Sequence, residues 1–135
     1  MILLDSSVLV AFYNELDNHH AKATELMRNI PKDEQILLND YLANEIATVV
    51  LRKSGLEKAK TVLGALLNNQ KTVIRHTQKG EFEEIAGIFM EQTIGLSFVD
   101  CSIVWLFRNI GCKVETFDKA LLDEIGKEMK KEKQG

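Results

Sequence analysis

Three-residue apolar runs that stop at a polar or acidic residue constrain this chain most. Ile2-Leu3-Leu4 ends at Asp5, Ile36-Leu37-Leu38 ends at Asn39 and Asp40, and Thr72-Val73-Ile74 ends at Arg75. A fourth run, Cys112-Lys113-Val114-Glu115-Thr116, leads into Phe117-Asp118. Ile2-Leu3-Leu4, short, apolar and ended by an acid, reads as a buried strand; Ile36-Leu37-Leu38 is another such run, and the other two are strand candidates. Helical patterns separate them. Leu9, Val10 and Phe12 follow a cap at Ser6 or Ser7, and His20 to Asn29 gives a second helix closed by Pro31. Leu42, Ile46, Val49 and Val50 recur at helical spacing after a cap at Asn39 or Asp40, and Gly55 divides this helix from Glu57 to Leu67. A helix from Gly80 to about Glu91 precedes Ser97-Phe98-Val99-Asp100, which has capping-box spacing and opens a helix through Phe107 that closes near Gly111. Strands alternating with helices give a single α/β domain whose central sheet is mainly parallel, with four to five short strands. The domain is expected over residues 1–126, and residues 127–135, rich in Lys and Glu, as a solvated charged tail.

In such sheets ligands bind outside the carboxyl ends of the strands. Asp5 follows the first strand and Asp118 the fourth; Asp100 lies in the first turn of its helix, and Glu45 lies about one turn into the helix after the second strand. Each has an apolar neighbour: Leu4, Phe117, Val99 and Ile46. One half-buried acid is an ordinary helix cap. Four on one rim repel each other and call for a cation or raised pKa values. Hard divalent ions, Mg²⁺ or Mn²⁺, take such all-oxygen ligand sets. Among the 3 histidines no H-x-H or H-x-x-x-H spacing suggests zinc. A carboxylate-held metal with open positions activates water and stabilises a phosphoryl group, so a phosphate ester is the expected substrate.

Other carboxylate-metal folds fail at named residues. A haloacid-dehalogenase-type phosphatase needs an acid where Ser7 stands, an integrin-type site needs a serine where Leu9 stands, and a receiver domain needs an acid where Ser6 stands. A ribonuclease H-like fold opens on a hairpin, whereas a helix follows the first strand here.

The segments Leu4-Asp5-Ser6-Ser7-Val8-Leu9-Val10, Asn44-Glu45-Ile46, Leu96-Ser97-Phe98-Val99-Asp100-Cys101 and Glu115-Thr116-Phe117-Asp118, in this order, resemble a PIN domain over nearly the whole chain. The compact size and the run from His20 to Ala23 are similar to VapC-type toxins of toxin-antitoxin pairs. This resemblance implies a metal-dependent endoribonuclease using Mg²⁺ or Mn²⁺. In it Asp5, Glu45, Asp100 and Asp118 are the catalytic and metal-binding acids, and Ser7, Ser97 and Thr116 hold them in place. It also implies a homodimer, inhibited by a small antitoxin protein. An RNA-processing nuclease without a toxin role, or a non-catalytic binding module on the same fold, are the alternatives. Many relatives carry a further acid or Asn three residues after the last Asp; Leu121 stands there, and Asp123 lies about 140° round the helix from Asp118.

Arg52, nearly two turns beyond Glu45, and Lys119, beside Asp118, are the candidate RNA-contacting cations; His19 and His20 could line the cleft. Trp105 reads as core or dimer interface. The 2 cysteines, Cys101 and Cys112, form no C-x-x-C and read as reduced buried thiols of a cytoplasmic protein. No apolar run approaches the roughly 20 residues that span a bilayer, and the N-terminus lacks the basic region of a signal peptide. The formal charge is -3, from 20 acids and 17 bases. Four acids assigned to one metal-binding rim leave 16 against 17, so the sum excludes a polycationic binder but not RNA.

Overall fold

The computed structural model describes residues 1–134; Gly135, the last residue of the expected tail, lies outside the described residues. The elements run β1 (Ile2–Leu4), α1 (Ser6–Tyr13), α2 (His20–Asn29), β2 (Ile36–Asn39), α3 (Asp40–Ser54), α4 (Leu56–Asn68), β3 (Thr72–Arg75), α5 (Lys79–Glu91), α6 (Phe98–Ile110), β4 (Lys113–Glu115) and α7 (Lys119–Gln134). The sheet has four strands in the order β3-β2-β1-β4, and every pairing is parallel. The expected α/β architecture is therefore observed, at the lower of the two strand counts anticipated.

β1 and β2 are buried along their whole length, as apolar runs without alternation require. Leu3, Leu4, Leu37 and Leu38 form the middle of the core; Leu9, Leu42, Ile46, Ile85, Ile103, Leu106 and Leu121 close over them from the helices. The chain steps from β1 outward to β2 and β3, then returns to place β4 on the other side of β1. The strand order thus reverses between β1 and β4, which is where an open parallel sheet leaves a crevice at its carboxyl edge. The pairing Leu4↔Glu115 puts the residues after β1 and β4 side by side there, and the Asp5 amide donates to the Glu115 carbonyl at 3.0 Å.

Local signals are read out as written at several ends. The Asn39 side chain caps α3, its Oδ1 accepting the Leu42 amide at 2.8 Å. Ser97 and Asp100 form the reciprocal capping box of α6. Gly55 takes φ +89°, which lets α3 turn into α4 without a Cβ penalty. On α4, Ala59, Val62 and Leu66 are buried, so its apolar face covers the body of the domain, while Lys58 and Lys60 are exposed.

Two expectations are corrected. Asp5, not Ser6 or Ser7, is the N-cap of α1, and both serines lie within the helix. The stretch from Lys127 is no loose tail: α7 continues through Gln134. Glu128 is only 5% exposed, and its two carboxylate oxygens take the Nε and Nη2 of Arg108 at 2.9 and 2.6 Å. A bidentate pair of this kind anchors Glu128 alone; the other side chains from Lys127 to Gln134 are exposed.

Asn39 is also the brace between two helices. It is 2% exposed, and its Nδ2 donates to Ser102 Oγ on α6 at 2.8 Å; that hydroxyl in turn donates to the Val99 carbonyl. Asn39→Ala removes a cap and the donor to the buried Ser102 oxygen, so it should lower stability by about 2 kcal/mol in urea unfolding with an unchanged m-value.

Candidate active site at the carboxyl edge of the sheet

Asp5 is 4% exposed at the crevice between β1 and β4. A buried carboxylate needs donors, and this one receives three. The Ser6 amide donates to Oδ1 at 2.8 Å; the Ser7 and Thr116 hydroxyls donate to Oδ2 at 2.9 and 2.7 Å. Each hydroxyl has one proton, and both are committed to Asp5, because each oxygen also accepts an amide. Ser7 Oγ accepts from Phe117 at 3.0 Å, and Thr116 Oγ1 accepts from Asp118 at 3.0 Å. Ser7 and Thr116 thus tie the chain after β4 to the carboxylate after β1.

Asp118 is exposed, and its Oδ1 accepts the Leu121 amide at 3.1 Å as α7 begins. Asp100 is half-buried at the start of α6: Ser97 N–H donates to its Oδ2 at 3.1 Å, while its own amide donates to Ser97 Oγ at 3.0 Å. Burial pushes the Asp100 carboxyl above its ordinary pKa. The charges on Asp5 and Asp118 push the same way, and the hydrogen bonds from Ser97 oppose them. These three acids, from three separate parts of the sequence, therefore share one electrostatic environment. Glu45 is half-buried on α3 and is not among the charges acting on Asp100. Arg52 and Lys119 are exposed.

The donors are carboxylate and hydroxyl oxygens, and their mutual repulsion is what a hard divalent cation relieves. Among the described residues no three His, Cys, Asp or Glu side chains are gathered into a ready-made metal cage. The fit to Mg²⁺ or Mn²⁺ is thus one of donor type and charge. At the Leu121 position, where a further acid was sought, the side chain is fully buried, and the first turn of α7 carries no acid. Asp123 is exposed.

The structure brings to this edge one residue that sequence spacing did not single out, and it places His19 in the cleft as anticipated. Lys53, rather than Arg52, lines the cleft that opens beside Ser6 and Ser7, together with His19. Phe117 lies against the His19 ring, centroids 5.0 Å apart. His20 plays a different part: its Nδ1 meets the Ala11 carbonyl at 2.8 Å, pinning α2 to α1. Trp105 is core, as expected, with Nε1 donating to Glu84 and the Arg75 guanidinium 5.3 Å from its ring centre. Cys101 and Cys112 are buried free thiols, and burial raises the pKa of both. Among the described residues no helix is long and apolar enough to cross a membrane.

A model of the PIN domain family matches residues 2–128. Among solved structures, the fold is similar to that of VapC20 from Mycobacterium tuberculosis, described as a sarcin-ricin loop cleaving toxin. The TM-score is 0.84 at 21% sequence identity, covering 92% of this chain and 95% of that one. At that identity the likeness is one of fold. No curated protein matches the sequence significantly.

The raised pKa of Asp100 has a sign that can be measured without substrate. The folded chain holds this proton more tightly than the unfolded chain, so its contribution to stability falls as pH rises from the ordinary carboxylate range through the raised value. In EDTA, Asp100→Asn should therefore raise the melting temperature at neutral pH. That gain should vanish below about pH 4, where the unfolded Asp is itself protonated. A variant less stable than the parent at pH 7 would show that Asp100 is not under electrostatic strain.

Proposed function

The chain belongs to the PIN domain family, and from that premise we propose that it is an endoribonuclease that hydrolyses RNA phosphodiesters with a divalent cation, acting as the toxin of a toxin-antitoxin pair. The observation that carries this reading is Asp5 at the strand-order reversal, fixed by the Ser7 and Thr116 hydroxyls, with the charges of Asp5 and Asp118 both acting on Asp100. The fold likeness to VapC20, a toxin that cleaves the sarcin-ricin loop, supports the toxin role.

In this reading Asp5, Asp100 and Asp118 hold Mg²⁺ or Mn²⁺, and Glu45 reaches in from α3 to hold the ion or orient water. A bound cation supplies Lewis acidity toward the phosphate and its attacking water. The protein supplies orientation. Ser7 and Thr116 fix both the direction and the donor load of one Asp5 oxygen, leaving the other with a single amide. Ser97 fixes Asp100 through the capping box. Buried Leu121 adds no ligand, which supports a single cation completed by substrate. Arg52 and Lys119 meet the RNA backbone from outside the cleft. The same reading places the protein in the cytoplasm as a homodimer, held inactive by a small antitoxin.

Cleavage of single-stranded RNA should require Mg²⁺ or Mn²⁺ and stop in EDTA. Asp5→Asn and Asp100→Asn should each reduce it about 100-fold or more, and Ser7→Ala or Thr116→Val about 10- to 100-fold with weakened Mn²⁺ affinity. Undiminished cleavage by the two Asn variants would sink the assignment. Calorimetry showing no Mn²⁺ uptake while RNA binding persists would make the domain a binding module instead.

A further inference from the structure

The cleft beside Asp5 carries features that the hydrolytic site does not use. Val10 and Val49 line it with hydrocarbon, His19 and Lys53 stand on opposite elements, and Ser7 joins it to the site. Ser7 is the residue that donates to Asp5, so the cleft begins one side chain away from the carboxylates.

His19 is held in place without being buried. Its amide donates to Asp17 Oδ1 at 2.8 Å, and its ring lies on Phe117, tilted by 32°. Phe117 is anchored in turn by its amide on Ser7 Oγ. The aromatic pair is therefore set at a fixed place relative to Asp5 and Asp118, while His19 itself remains exposed. Lys53 is exposed on α3, and among the described residues no carboxylate pairs with it. Asp17 is the one acid lining the cleft, and one of its oxygens is taken by the His19 amide.

We propose that this cleft is the subsite for one unpaired nucleotide next to the scissile phosphate, its base stacked on His19 and its phosphate contacted by Lys53. The proposal rests on the nuclease reading. An aromatic face, an apolar floor and a single cation match the components of one nucleotide: aromatic rings are sequence-tolerant stacking platforms, and one lysine neutralises one phosphate. A base in a duplex has both faces stacked and cannot also stack on a protein ring, so the arrangement selects single-stranded RNA, loops or bulges. An acidic peptide would use the cation but not the ring.

The test uses the full chain, with a short fluorescent single-stranded RNA of mixed sequence titrated in EDTA so that nothing is cleaved. His19→Ala and Lys53→Ala should each weaken binding by about ten-fold, whereas His19→Phe, which keeps an aromatic face, should bind like the parent. Lys53→Ala should also flatten the dependence of log affinity on log salt by about 0.7, as loss of one phosphate contact to a single strand requires. In cleavage assays with Mg²⁺ the same Ala variants should raise KM and leave kcat within about two-fold. Unchanged RNA affinity in both Ala variants, equal loss in His19→Ala and His19→Phe, or no RNA binding by the parent would each overturn the subsite. Parent-level cleavage with unaltered affinities leaves the nuclease standing and the subsite refuted. Absent cleavage with the predicted affinity pattern does the reverse.

Discussion

The donation of two hydroxyl protons to one oxygen of Asp5 is the contact on which the arrangement depends. Ser7 lies in α1 and Thr116 follows β4, so the same carboxylate is held by segments 109 residues apart in sequence. A carboxylate this buried would be costly if left unpaired. The third of its donors, the Thr116 hydroxyl, is in place only once β4 has paired with β1 in the register Leu4↔Glu115. Closing the sheet and building the site are thus one event. Strand misregistration would remove Thr116 from Asp5 and strand the carboxylate, so the polar cluster also discriminates against wrong pairing.

The other carboxylates are held more loosely, in a graded way. Asp100 is fixed locally by its capping box and at longer range by the Asn39–Ser102 brace, which ties the first turn of α6 to the start of α3. Asp118 has only the Leu121 amide at its side chain and is exposed. Glu45 has, among the described residues, no side-chain hydrogen bond or ion pair. Rigidity therefore decreases from the sheet centre outward. A site ordered in this way has one preset ligand direction and others that adjust, which suits a centre completed by an ion and a substrate.

Much of this was legible in the sequence because it is locally encoded. Ile2-Leu3-Leu4 and Ile36-Leu37-Leu38 are apolar on both faces and can only be interior strands. Ser97 with Asp100 satisfies a cap within four residues, and no tertiary contact is needed to recognise it. The parts that were misread depend on distant partners. Asp5, Ser6 and Ser7 are three successive residues able to cap α1, and the choice among them falls to Thr116 and Phe117, more than a hundred positions away. The run after Lys127 is polar enough to be solvated, yet Arg108 on α6 buries Glu128 and carries the helix on. Lys53 rather than Arg52 faces the cleft because packing of α3 against α1 sets the helix rotation, which spacing from Glu45 does not specify.

The net charge of -3 can be read in the same terms. RNA carries a negative charge on every phosphate, and this chain meets it with an acidic crevice, which by itself repels. Two features of the structure offset that repulsion at short range. Burial, and after it the charges of Asp5 and Asp118, disfavour the bare Asp100 carboxylate that a divalent ion favours, so proton and cation compete for one pair of oxygens. Cation uptake should convert the crevice from a region that repels phosphate into one that accepts it. Lys53 lies outside the acids but within the adjoining cleft, where it attracts a phosphate without pairing with the carboxylates and quenching them. A bound ion then adds to the RNA affinity that the adjoining cleft supplies on its own, and does so at one place, which a polycationic surface would not achieve.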